Sequence, residues 1–230
     1  MAAHRNPAVL WRRRLVIITG PFGSGKTEIA LGYALASAAA GRATALVDLD
    51  IVNPYFRAQD HRAELERGGV RVVCPEEPLS RYELPALSPE VRSVLAAASL
   101  HVVVDVGGDP VGARVLGSFR PQLDPASLEL WLVINPWRPA AVEGELPQLL
   151  RDIQREAGLD AGVVISNPNL GAETTPQDIG EGHARVAAFA REMSKPVRFL
   201  AVDERLVGEV ADPGIPVWPL RLRVRPPWDE

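Results

Sequence analysis

The chain has 230 residues, a formal charge of −4 and a sequence pI near 5.7. That length suits one domain with an ample core, and the acidic balance leaves no global footprint for nucleic acid. Hydrophobic content of 47% and charged content of 23% are ordinary for a soluble globular protein, and the single cysteine, Cys74, excludes an internal disulfide and any multi-cysteine metal site.

The N-terminal stretch holds basic residues and then only the short apolar run Leu15–Ile18, which is no secretory signal. The longest apolar stretch, Ile29 to Ala40, is too short and too rich in small residues to span a bilayer. These features predict a cytoplasmic protein without membrane contact.

The β-forming run Leu15-Val16-Ile17-Ile18 ends abruptly in Gly20-Pro21-Phe22-Gly23-Ser24-Gly25-Lys26-Thr27, and a helical pattern follows at once. This is G-x-x-x-x-G-K-[ST] in strand–loop–helix context. Its glycines let backbone N–H groups converge on a polyphosphate, and the helix adds its positive N-terminal dipole. Gly20, Gly23, Ser24, Gly25, Lys26, Thr27 and Glu28 are therefore the expected nucleotide-holding residues. Lys26 is expected to neutralise the β- and γ-phosphates, and the Thr27 hydroxyl to hold Mg²⁺. Only Lys26 and Lys195 are lysines among 25 basic residues, so a slim ammonium here reads as a specific demand.

The first helix is predicted from Glu28 to Ala40, stopped by Gly41. Ala43 to Asp48 reads as a short buried strand running into Asp48-Leu49-Asp50, followed by the loop Ile51 to Arg57, where Tyr55 and Phe56 read as packing anchors. A charged helix from about Asp60 to Arg67 and a strand Val70 to Val73 come next. Four prolines between Cys74 and Pro89 predict a surface excursion. Ser88-Pro89-Glu90 starts a helix to about Ala98. His101 to Asp105 is a strand buried on both faces, with Gly107, Gly108 and a short helix to about Phe119 behind it. Leu128 to Ile134 is a strand ending in Asn135-Pro136-Trp137-Arg138-Pro139. A helix Glu145–Ala157, a strand Ala161–Ser166 ending in Asn167-Pro168-Asn169-Leu170, and a helix from Thr175 to about Met193 follow. Val197 to Val202 is a strand, Asp203 to Val210 a short helix, and Val217 to Arg225 the last ordered segment. Its Arg221, Arg223 and Arg225 alternate as the solvent face of an edge strand would.

Apolar strands alternating with helices predict an α/β fold: a doubly wound, mostly parallel sheet with helices on both faces, in one domain over residues 1–230. Ligands of such sheets bind beyond the carboxyl ends of the strands. Asp48 is expected to reach the Mg²⁺ shell and Asp50 the water beside the γ-phosphate. Asp105, after three valines, reads as a further Mg²⁺ carboxylate, and Gly108 as a backbone contact to the γ-phosphate.

GPFGSGKT, LVDLD and VVVDVGG, in this order and spacing, resemble the MinD/ParA/CobQ-like branch of P-loop proteins. DIVNPYFR, DVGGDPVGARVLG and NPNLGAET look similar to segments of the CobQ/CobB/MinD/ParA nucleotide-binding domain group. The resemblance covers about Leu15 to Leu200. It implies that Asp50 orients the attacking water, that Asp48 and Asp105 belong to the magnesium shell, and that Asn167 hydrogen-bonds the adenine edge. Leu170 stands where a guanine reader of N-K-x-D type carries its aspartate, so ATP is expected over GTP. Pro21 replaces the second lysine with which MinD and ParA relatives reach a partner's nucleotide; Arg57, Arg114 or Arg138 is expected to stand in, or a residue of another protein. The function so implied is a slow Mg²⁺–ATPase that acts as a switch toward a protein partner or a second copy. The alternative is a small-molecule kinase or a CobQ/dethiobiotin-synthetase-like ligase.

Overall fold

The computed structural model describes residues 12–50, 58–74, 89–138 and 145–224. Its strands are β1 (Leu15–Thr19), β2 (Thr44–Asp48), β3 (Val70–Val73), β4 (His101–Asp105), β5 (Leu128–Ile134), β6 (Val163–Ser166), β7 (Val197–Asp203) and β8 (Val217–Leu220). Its α-helices are α1 (Lys26–Ala39), α2 (Arg62–Arg67), α3 (Pro89–Ala96), α4 (Pro110–Phe119), α5 (Glu145–Ala157) and α6 (Pro176–Glu192). The eight strands form one sheet in the order β3-β2-β4-β1-β5-β6-β7-β8, every pair parallel.

Both faces of this sheet are covered, which is why its central strands read as unbroken apolar runs. Along β1, Leu15 and Ile17 face the layer built by α3, α4, α5 and the later part of α6. Val16 and Ile18 face the opposite layer, where α1 and α2 pack. That second layer holds an aromatic cluster: the Tyr33 ring stands edge-on to Trp131 at 4.6 Å between centroids, and Trp131 meets Phe199 at 5.6 Å. Alanines and a glycine along α1 let it lie close on the sheet, which fixes where its N-terminus points.

Because all strands run the same way, the loops after β1, β2, β4, β5 and β6 share one edge. Main-chain bonds extend the ladder past the strand ends there. Leu49 N–H donates to the Asp105 carbonyl at 2.8 Å, and Val106 N–H to the Ile18 carbonyl at 3.0 Å. The Asp48–Asp50 and Asp105–Gly108 segments are therefore registered against the loop after β1.

Two expectations are corrected. Asp203 to Val210 forms turns, not a helix: β7 runs on to Asp203, whose carboxylate accepts the Arg205 main-chain N–H and guanidinium. The segment closes instead in i+3 turns, Leu206 N–H to the Asp203 carbonyl at 2.8 Å and Glu209 N–H to that of Leu206 at 2.9 Å, across Gly208, a poor helix former. Nor do Arg221 and Arg223 alternate along a strand, since β8 stops at Leu220 and the Arg223 side chain, only 14% exposed, pairs with Glu64 at 3.0 Å. Ile51–Arg57, most of the proline-rich excursion and Arg225 lie outside the described residues.

Candidate functional site

Between β1 and α1 the chain makes a tight loop whose end is set by Gly25. Its φ of 84° lies in the left-handed region, and a Cβ there would come within 2.3 Å of Asn167 Nδ2. No side chain caps α1, so its first-turn N–H groups remain offered to a ligand, as an anion site requires. Gly108 answers the same crowding from the β4 side. A Cβ on it would fall 1.9 Å from the Gly20 carbonyl oxygen, so only glycine lets the two loops meet backbone to backbone.

The Lys26 ammonium, on the first residue of α1, lies 2.9 Å from Asp50 Oδ2, with both side chains almost fully buried. Burial alone would pull the Lys26 pKa down, but the carboxylates of Asp105 and Asp50 outweigh it and raise it above the ordinary value. The other Asp50 oxygen sits against Gly107, where a Cβ would approach Oδ1 to 3.1 Å. Asp50 is thus held between the ammonium and the loop after β4.

Asp105 is 1% exposed, and neither of its buried carboxylate oxygens makes a hydrogen bond of normal geometry. Burial raises its pKa to about 7, the Lys26 charge and the nearby Thr27 hydroxyl pull it back, and Asp48 and Asp50 push it up again. Unsatisfied buried oxygens beside a hydroxyl are the donor set a hard divalent cation accepts. Thr27 and Asp105 therefore fit Mg²⁺. Among the described residues no three His, Cys, Asp or Glu side chains converge as a metal site of their own, so phosphate oxygens would have to complete the coordination.

Asp48 has main-chain partners. Its Oδ1 accepts the Asp50 main-chain N–H at 3.1 Å and its Oδ2 accepts that of Ala58 at 2.9 Å. This buried carboxylate ties together the chain on the two sides of residues 51–57. Glu28 turns elsewhere. Its carboxylate accepts the N–H groups of Arg223 and Val224 at 2.9 and 2.8 Å, so only its own backbone N–H faces the phosphate end of α1.

Asn167, at the end of β6, donates from Nδ2 to the Ser24 carbonyl at 2.8 Å and so braces the phosphate loop directly. Asn135, at the end of β5, is the residue that sequence reasoning passed over. Its Nδ2 donates to the Asn169 carbonyl at 2.7 Å, and its Oδ1 accepts the Trp137 N–H at 3.1 Å. The signal was present as twin Asn-Pro pairs, Asn135-Pro136 and Asn167-Pro168, at adjacent strand ends. Trp137 is half-buried beneath the Arg185 guanidinium, 4.5 Å from its ring centroid.

This sheet, with its glycine loop and buried lysine before α1, defines an α/β fold of the P-loop NTPase type. No family model matches the chain, and no curated protein matches it. Solved structures do. The signal recognition particle 54 kDa protein from Aeropyrum pernix, in complex with GDP, is 21% identical with a TM-score of 0.54 over 85% of this chain and 43% of its own. The signal recognition particle receptor FtsY from Elizabethkingia anophelis is 16% identical with a TM-score of 0.54, over 83% of this chain and 59% of its own. FtsY from Thermotoga maritima is 20% identical with a TM-score of 0.52, over 82% and 61%. This chain thus spans about half the length of these relatives, and the likeness is one of fold. Among the described residues no helix is long and apolar enough to cross a membrane.

Proposed function

We propose that the chain is a Mg²⁺-dependent ATP-binding protein of the MinD/ParA/CobQ-like branch, a slow ATPase whose nucleotide state is read by a protein partner or a second copy in the cytoplasm. The observation that carries this reading is the convergence at one strand edge of the Lys26–Asp50 pair and the unsatisfied Asp105 beside Thr27. Lys26 would exchange Asp50 for phosphate oxygens when nucleotide binds, and the released Asp50 carboxylate, still fixed by its backbone, would orient water. Adenine is supported by Leu170, an exposed apolar side chain at the rim where a guanine reader needs a carboxylate. Slow turnover follows from Pro21, which puts no second cation near the γ-phosphate.

The test is calorimetric titration of Mg²⁺–ATP into the wild-type protein and Lys26→Ala. Tight binding in the first and none in the second is the expected result. Equal affinity would remove the phosphate site from this loop.

A further inference from the structure

Lys26 is not alone in bringing positive charge to the phosphate loop. Arg138 lies four residues beyond the end of β5, in a turn closed by its N–H on the Asn135 carbonyl at 3.2 Å. Asn135 holds that turn from within, through Trp137, and ties it to the β6 loop through Asn169. The turn is thereby fixed, and it sends the Arg138 side chain across the glycine loop. A Cβ on Gly23 would meet Arg138 Cγ and Cδ at 3.3 Å and Nε at 3.4 Å. The residue itself is exposed, so a ligand can reach its guanidinium.

Position decides which part of a ligand it meets. In the order β4-β1-β5-β6, the loop stands above β1. Lys26, Asp50 and Asp105 lie toward β2 and β4, where bond cleavage would take place. Arg138 arrives from β5, on the side of Asn167 and β6. A nucleotide whose terminal phosphate sits at Asp50 and Asp105 lays its base-proximal phosphates on the Arg138 side. Lys26 lies on the Asp50 side, toward the terminal phosphate, and Pro21 offers no charge. We infer that Arg138 is a nucleotide-binding residue whose guanidinium holds the α- and β-phosphates, the part common to nucleoside di- and triphosphates. This inference rests on the nucleotide site proposed above. Contact with phosphates that diphosphate and triphosphate share adds affinity for both. It also makes the site retain its diphosphate product.

The experiment titrates ADP, GDP and a non-hydrolysable triphosphate analogue into wild type, Arg138→Ala, Arg138→Lys and Lys26→Ala, with thermal melting of each variant without nucleotide. Arg138→Ala is expected to weaken di- and triphosphate alike by about tenfold, as loss of a charge-assisted contact does. Arg138→Lys is expected to recover only part, because an ammonium lacks the planar fork. Melting temperature without nucleotide should not move, because the exposed Arg138 side chain supports no core. Undiminished affinity in Arg138→Ala, or a loss confined to the triphosphate, overturns the inference. If Lys26→Ala loses binding while Arg138→Ala keeps it, only the role of Arg138 falls; if wild type binds none of the three, the nucleotide site falls with it.

Discussion

Asp105→Asn should make the nucleotide-free protein more stable at pH 8 while removing its response to magnesium. In the folded chain burial raises the Asp105 pKa from 3.8 to about 7. A carboxyl with a raised folded pKa contributes stability that is present below its unfolded pKa and is lost as pH rises through the folded one. Wild type should therefore lose stability between about pH 4 and pH 7, and the Asp105→Asn variant should not. Three pKa units set a ceiling of about 4 kcal/mol. Part is returned, because the variant leaves the buried Lys26 with Asp50 alone, so a net gain on the order of 2 kcal/mol is expected at pH 8. For a domain of this size that is a rise in melting temperature of roughly 4–8 °C. The assay is thermal unfolding at pH 4, 6 and 8, with and without Mg²⁺ and nucleotide. The two proteins should be alike at pH 4 and diverge as pH rises. An Asp105→Asn protein no more stable than wild type at pH 8 would refute the reasoning, since the buried carboxylate would then be fully compensated by its neighbours.

Asp50→Ala should bind ATP at least as well as wild type yet hydrolyse it ~10²–10⁴-fold more slowly, the usual worth of a positioned general base; parental single-turnover rates would make Asp50 structural. Glu28→Ala should cost about 1–3 kcal/mol in denaturant unfolding, because the half-buried N–H groups of Arg223 and Val224 lose a charged acceptor. ATP should compete better than GTP by at least about tenfold, or ~1.4 kcal/mol; equal competition would mean that Leu170 and Asn167 do not select the base.

What the sequence made legible was local in origin. Continuous apolar runs such as His101–Asp105 mark strands covered on both faces, and the glycine loop before Lys26 marks its own position. Thr175, with Asp178 as its capping-box partner, announced α6. The expected helix after β7 is replaced by successive i+3 turns around Gly208, a difference of one residue in hydrogen-bond spacing that the apolar pattern does not carry. The main-chain partners of Asp48 were hidden for another reason. A carboxylate at a strand end reads alike whether it faces a cation or the backbone ten residues on, at Ala58.

Asp48 and Glu28, on either side of the site, share one property, which is that main-chain N–H groups bond to their side chains. Asp48 joins Asp50 to Ala58, where the turn leading into α2 begins. From α2, Glu64 reaches Arg223, and the N–H groups of Arg223 and Val224 return to Glu28, next to Thr27. The circuit closes on the phosphate loop through Lys26 and Asp50. Its contacts span up to 196 residues of chain, so no window of sequence contains it. Asp48, Glu64 and Glu28 together fasten three stretches of chain to the start of α1. The Asp105 carboxylate takes no part in that fastening, which is why its two buried oxygens keep no hydrogen-bond partner and fit the proposed Mg²⁺ site.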